Sequence, residues 1–288
     1  MRIVVISDVH LGYHDSDTTA FSQFLDSQLK DKPDQVILLG DMFDFWRRSD
    51  ADLLLQSQSI VEKLFQLPIV YVRGNHDFSM AKLFQRYPQL PVFNVEPKVT
   101  LQNQKSTFYL CHGYELEVFT SMETIGIDAY EAFAEAMCHA GETGGATASF
   151  LWSIYQKLSR GYLSDKHKLL KTIGDTPAEI RTTLQKVDTF AKSVARSVPL
   201  GLKPSDVLIF GHTHRPFIDR TTRTVNTGSW IVDENKQEHT YAEITDNTFD
   251  LRTWPVSRTQ RAAVYAPQQV TQPKQLPPRA IDEILIRF

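Results

Sequence analysis

The sequence predicts an α/β chain arranged as a four-layer α-β-β-α sandwich: two mixed sheets flanked by helices, carrying a helical cap insertion. Three observations predict it. Short, β-branched apolar runs occur at Arg2–Ser7, Gln35–Gly40, Pro68–Gly74, Ser106–Cys111 and Asp206–Gly211, as expected of strands buried on both faces. Helical patterns separate the early runs, and strand–helix–strand alternation implies a mostly parallel sheet with right-handed crossovers. Beyond Phe210, short strand-like segments with turn residues between them follow one another, which reads as a second, more antiparallel sheet.

Each element has its own signal. Thr19 to Lys30 carries Phe21, Phe24, Leu25 and Leu29 at helical spacing, and Ala51 to Leu67 is a second helical pattern. Residues 114–204 interrupt the strands with helical stretches at Tyr130–His139, Phe150–Leu158 and Pro177–Val198. Thr176-Pro177 with Glu179 marks a helix start, and Gly141–Gly145 a hinge or loop. The insertion is acidic from Gly113 to Ala148 and mostly basic from Ser149 to Pro204. It reads either as a cap over a site or as a surface subdomain with solvated charges. Beyond it, Pro216–Asp219, Thr224–Asn226, Ser229–Val232, His239–Ile244 and Phe249–Trp254 read as short strands. The main domain is expected over 1–256, interrupted by the 114–204 cap. The tail over 257–288 holds a Pro/Gln-rich linker and an apolar end, Ala280–Phe288.

A net charge of -3 over 288 residues gives no overall nucleic-acid or membrane signature. No apolar run is long enough for a membrane-spanning helix. The N-terminus reads as a first strand rather than a signal peptide, because Asp8 and His10 follow its apolar run at once. Two cysteines, Cys111 and Cys138, are too few for a disulfide framework, and Cys111 reads as a small buried hydrophobe. A cytoplasmic setting is the simplest expectation.

Function is read from where the polar residues fall. Asp8 and His10, Asp41, Asn75 and His76, His112, and His212 and His214 all follow apolar runs, at the strand ends where open α/β sheets bind ligands. In extended chain, residues i and i+2 point the same way, so Asp8 with His10, and His212 with His214, are expected to converge. Clustered imidazoles point to a metal. Glycine beside Asp41, Asn75, His112 and His212 lets the backbone turn sharply near an ion. A set of imidazoles, carboxylates and one amide oxygen without thiolate suits Mn²⁺, Fe, Zn²⁺ or Ni²⁺. So many donors exceed the needs of one ion, and two divalent ions sharing a carboxylate fit better.

Asp8-Val9-His10, Gly40-Asp41-Met42-Phe43-Asp44, Gly74-Asn75-His76-Asp77, His112-Gly113 and Gly211-His212-Thr213-His214 resemble, in order, the five signature blocks of the calcineurin-like metallophosphoesterases. The segment Asn226 to Ser229 resembles that family's closing strand. The resemblance implies that Asp8, His10 and His214 hold one ion, that Asn75, His112 and His212 hold the other, and that Asp41 bridges them. Mn²⁺ is the first expectation for both. His76 would be catalytic, protonating the leaving oxygen or stabilising phosphoryl charge, with Asp44 orienting it. The implied reaction is hydrolysis of a phosphoester or pyrophosphate bond by a metal-bridging hydroxide attacking phosphorus. Arg47, Arg48 and Arg73 lie near these blocks and are candidates to grip phosphate or to form surface ion pairs. His14, Asp15 and Asp17 receive no role.

Gly-Asp-Met-Phe-Asp-Phe-Trp (40–46) and the helical insertion also resemble the UDP-2,3-diacylglucosamine pyrophosphatase branch, where a helical cap encloses lipid chains. The apolar residues from Phe150 to Leu158 either line such a cap, giving peripheral contact with a membrane, or pack it onto the body. That branch often has Arg where His76 stands here. It is the 40–46 block and the insertion that make a nucleotide or lipid-linked nucleotide-sugar substrate the expectation, while the His76 departure counts against the lipid-linked one. The alternatives are a nuclease or cyclic-nucleotide phosphodiesterase, not favoured by the overall charge, and a non-catalytic metal-binding scaffold, ranked last because no ligand is missing.

Overall fold

The computed structural model describes residues 1–80, 82, 94–102, 106–121, 126–139, 177–232, 238–246 and 248–255. These form β1 (Arg2–Ile6), α1 (Thr18–Asp31), β2 (Gln35–Leu39), α2 (Asp50–Gln56), α3 (Gln58–Leu64), β3 (Ile69–Val72), β4 (Asn94–Glu96), β5 (Val99–Gln102) and β6 (Thr107–Leu110). Then follow α4 (Tyr114–Ser121), α5 (Ile127–His139), α6 (Pro177–Ala191), a 3₁₀ turn at Val194–Arg196, α7 (Ser197–Leu200), β7 (Val207–Phe210), β8 (Phe217–Asp219), β9 (Thr224–Asn226), β10 (Glu238–Thr245) and β11 (Phe249–Pro255).

Two mixed sheets result, ordered β11-β10-β1-β2-β3-β4 and β5-β6-β7-β9-β8. β1, β2, β3 and β4 run parallel, as do β6, β7 and β9. The antiparallel pairings are β1 with β10, β10 with β11, β5 with β6 and β8 with β9. The late strands do not form a sheet of their own, as the sequence reading expected. β10 pairs antiparallel with β1, placing Ala242 opposite Val5 and Ile244 opposite Ile3, and only β8 and β9 join β7. Local alternation identifies a strand but carries no information about its partner.

The pleat builds the layers. Ile3, Val5, Ile37, Leu39, Phe108, Leu110, Val207 and Ile209 meet between the sheets. Their alternates Val4, Ile6, Val36 and Leu38 pack outward on Phe21, Phe24 and Leu25 of α1 and Ile60 and Leu64 of α3. Tyr109, Leu208 and Phe210 pack on Val187 and Ala191 of α6 and Leu116 of α4. At about 25 cal/mol per Å² of apolar surface, this double-sided burial is the main stabilising term.

Three elements differ from the sequence reading. Ala51–Leu67 holds two short helices meeting at Ser57, whose N–H donates to Leu53 O at the end of the first. Ser229–Val232 is not a strand: it makes one bridge, Ser16 to Ile231, and it is apolar because Trp230 is buried against Phe21 and Phe24, with ring centroids 5.3 and 5.1 Å away. The helix α4, whose sequence was read only as part of the insertion, follows His112 directly. The stretches Gly141–Gly145, Phe150–Leu158 and 257–288 lie outside the described residues. No helix among the described residues is long and apolar enough to cross a membrane.

Candidate metal centre

β1, β2 and β7 stop at Ile6, Leu39 and Phe210, and the chain then turns through left-handed residues. Asp8, His10, Asp41, His212 and His214 have φ of 55°, 51°, 53°, 65° and 56°. Their side chains therefore do not converge by the alternation of an extended strand, as expected above; a left-handed turn at each residue aims it. This conformation costs about 1–3 kcal/mol per non-glycine residue and persists where the surroundings over-determine it. Here backbone bonds do so: Asp8 N–H donates to Gly40 O at 3.1 Å, His10 N–H to Asp41 O at 2.9 Å, and Gly211 N–H to His112 O at 2.8 Å. Close approach is also required. A Cβ at Gly74 would overlap Asp41 Oδ1, and one at Gly211 would overlap Ser7 Oγ and Asp8 Oδ2.

The carboxylates are held by one oxygen and open at the other. Asp8 Oδ2 accepts from Ser7 Oγ and from the His212 amide at 2.9 Å. Its Oδ1 lies 3.1 Å from His214 Nε2 and 4.0 Å from His112 Nε2. Asp41 Oδ1 accepts from the His76 amide at 2.8 Å, while Oδ2 lies 3.6 Å from His10 Nε2 and 3.3 Å from His112 Nε2. His10 and His214 bring their Nε2 atoms to 3.2 Å. His112 Nδ1–H donates to Leu39 O at 2.8 Å, which turns Nε2 toward Asp41 and Asp8.

The electrostatics are those of a charged cluster out of water. Burial alone would raise Asp8, but His214 and His112 beside it hold it well below the usual carboxylate range. Asp41 is likewise lowered against its burial by His112 and His76. Burial would lower His10 and His112, yet Asp44 and Asp8 hold His10 up at about 10, and Asp41 and Asp8 hold His112 at about 10.

Asp8 Oδ1, Asn75 Oδ1 and His112 Nε2 are buried with no hydrogen-bond partner among the described residues. Orphaned buried polar atoms are costly, and those of Asp8 and His112, 4.0 Å apart, are the kind a cation would satisfy. Asp8, His10 and His214 bring ligand atoms together as one group, Asp41, His112 and His212 as another, and His10, Asp41 and His76 as a third that overlaps both.

Beside the cluster, Asp44 Oδ1 lies 3.0 Å from His76 Nδ1. The Trp46 indole stacks on that imidazole, with centroids 4.2 Å apart and planes at 23°. The three arginines divide. Arg47 pairs with Asp44 and lies 4.5 Å over the Tyr13 ring. Arg73 is taken up by Glu131 at 3.1 Å and lies 4.3 Å over Phe78. Arg48 is partly buried and packs near Gly12.

A family model described as calcineurin-like phosphoesterase matches residues 1–216, a span that contains every residue of this cluster. The chain belongs to the calcineurin-like phosphoesterase family. It is also similar to a protein named UDP-2,3-diacylglucosamine hydrolase from Shewanella sp. (strain W3-18-1), 25% identical over 90% of this chain and 100% of that protein. One of the same name from Vibrio cholerae serotype O1 is 28% identical over 80% of this chain and 91% of its own length. Among solved structures, a dimetal phosphatase from Danio rerio aligns over 88% of this chain and 96% of its own, at 13% identity and a TM-score of 0.47. As a calcineurin-like phosphoesterase this chain is a metal-dependent hydrolase of phosphoester or pyrophosphate bonds that uses two divalent ions.

Several residues that support this phosphoesterase site were missed in the sequence. Asp77 Oδ1 accepts from the Gly74 amide at 2.6 Å, and its Oδ2 accepts from the Met42 amide at 2.7 Å and from Tyr71 OH. Burial and the neighbouring Asp41 raise it to about 6. Its signal was its place inside the Gly74–Asp77 block. Thr213 Oγ1–H donates to Asp188 at 2.8 Å, and Glu117 reaches His212. Neither acid carried a local signal, because helical insertion residues meet the loop only in the folded chain.

Proposed function

We propose that this phosphoesterase cleaves the pyrophosphate bond of a lipid-linked nucleotide sugar in the cytoplasm, with Mn²⁺ as its ions. The domain spans 1–256, residues 114–204 serve as a cap over the site, and 257–288 form a tail. The single observation that carries the chemistry is Asp41 Oδ2, which lies 3.6 Å from His10 Nε2 and 3.3 Å from His112 Nε2, one imidazole from each ligand group. We assign Asp8, His10 and His214 to one ion, Asn75, His112 and His212 to the other, and Asp41 to both. Two such cations would neutralise charge on the phosphoryl oxygens and lower the pKa of water enough to supply hydroxide at neutral pH.

The chain's own groups do the rest. Asp44 fixes the His76 ring through Nδ1, so the proton on Nε2 is the one available to the leaving oxygen. Trp46 excludes water from one face of that ring. Arg47 is the arginine we assign to a phosphate oxygen: it is the more exposed of the two and shares its partner Asp44 with His76, whereas Arg73 pairs with Glu131 on α5. The substrate class rests on relatives named UDP-2,3-diacylglucosamine hydrolase that align through the insertion as well as the signature blocks.

The test is a substrate comparison on the Mn²⁺-loaded protein. UDP-2,3-diacylglucosamine should be turned over with a kcat/KM at least about a hundredfold above bis-p-nitrophenyl phosphate, a margin of about 2.7 kcal/mol. Equal turnover of both, or preference for a nucleic acid or cyclic nucleotide, rejects the substrate assignment.

A further inference from the structure

The insertion does more than cover the site. Its first helix, α4, begins two residues after His112 and ends one turn beyond Glu117. Glu117 Oε2 lies 2.6 Å from His212 Nε2, and both side chains are only 9% exposed. The same loop is gripped from the insertion's other limb. Asp188 on α6 accepts from Thr213 Oγ1 at 2.8 Å and pairs with Arg215 at 3.3 Å. Asn226 completes the hold, donating to Gly211 O and Thr213 Oγ1, each at 2.9 Å.

We infer that Glu117 is the positioning residue of the second ion's site, acting through His212. The inference rests on the assignment of His212 as a ligand. The chemistry is specific. His212 Nε2–H donates to the Glu117 carboxylate, which fixes the tautomer and leaves the Nδ1 lone pair for the cation. An anionic acceptor on the far nitrogen makes the near one more basic and locks the ring's orientation, and loss of such a partner costs ~10–100-fold in metal affinity. His112 is oriented by a backbone carbonyl, Leu39 O. His212 takes its counterpart from a side chain of the insertion, so the cap's root is a structural part of the metal centre.

The experiment is calorimetric titration of the chelated full-length protein with Mn²⁺, which reads metal affinity without turnover. Glu117→Ala should weaken one of the two binding steps ~10–100-fold and leave the other unchanged. Glu117→Gln keeps the volume and an acceptor oxygen but removes the charge. It should leave the Tm of the metal-free protein at the parent value and still weaken that same step, by up to about tenfold. Two unchanged binding steps in either folded variant overturn the inference. His212→Ala separates the two failures. If it too keeps both steps, the assignment of His212 as a ligand falls. If it loses one while both Glu117 variants keep theirs, the ligand assignment stands and the role of Glu117 is rejected.

Discussion

Asp44 holds His76: its Oδ1 lies 3.0 Å from the imidazole Nδ1, on a ring that Trp46 stacks against. The proton available to a leaving group is then on Nε2. His76→Ala should lower kcat ~10²–10⁴-fold on an alkyl phosphodiester. With p-nitrophenolate, which departs without a proton, the loss should be much smaller. Asp44→Asn should move both substrates in the same direction by less. The measurement is kcat for both esters; equal losses on the two would contradict the leaving-group role.

Arg47 and Arg73 should separate. A charge-assisted contact to phosphate is worth about 1.5–3 kcal/mol, so Arg47→Ala should raise KM ~10–100-fold. Arg73 holds Glu131 on α5 and covers Phe78. Arg73→Ala should lower the unfolding free energy by about 1 kcal/mol with KM unchanged. Steady-state kinetics and urea unfolding of the two variants check this.

Gly74 is required by space rather than by φ, since its hypothetical Cβ would overlap both the side chain and the amide of Asp41. Gly74→Ala should therefore displace Asp41, cost about 1–3 kcal/mol by overpacking, and weaken both Mn²⁺ binding steps together. Unfolding and metal titration of the variant are the checks.

The pair Asp17 and His239 gives a pH dependence away from the metal centre. Burial alone would raise Asp17, but His239 Nε2 at 3.0 Å and the Ala20 amide at 2.9 Å hold it below its ordinary value. A lowered folded pKa contributes stability that is fully present above the unfolded value, about 3.9. That stability is lost as pH falls through the folded value. Asp17→Asn should cost about 1–3 kcal/mol at pH 7, and its gap from the parent should narrow below about pH 4. Paired denaturation curves at pH 7 and pH 3 measure that gap.

The strands were legible because burial on both faces leaves uninterrupted apolar runs, as in Val36–Leu39 and Val207–Phe210. The signature residues were legible because each follows such a run. The mechanism of their convergence was not, since an apolar strand followed by Asp or His does not announce a left-handed residue; the glycines beside Asp41, Asn75, His112 and His212 hinted at sharp turns, but of these only Gly40 and Gly113 have positive φ. The placement of β10 against β1 was hidden because pairing across more than two hundred residues leaves no local mark. Trp230 was misread as a strand residue because burial in a loop and burial in a sheet select the same side chains. Glu117 was invisible for the same reason as β10: its partner His212 lies far along the chain.

A two-ion centre bridged by Asp41 underlies the proposed chemistry. Its most direct test is the number of Mn²⁺ ions retained per chain after chelation and reloading, measured by elemental analysis on the parent and on Asp41→Ala, together with hydrolysis of bis-p-nitrophenyl phosphate. The parent should retain two ions and hydrolyse the ester. Asp41→Ala should retain fewer and fall to background. A parent that binds no ion, or an Asp41→Ala variant that keeps both ions and the parent's rate, would contradict the account.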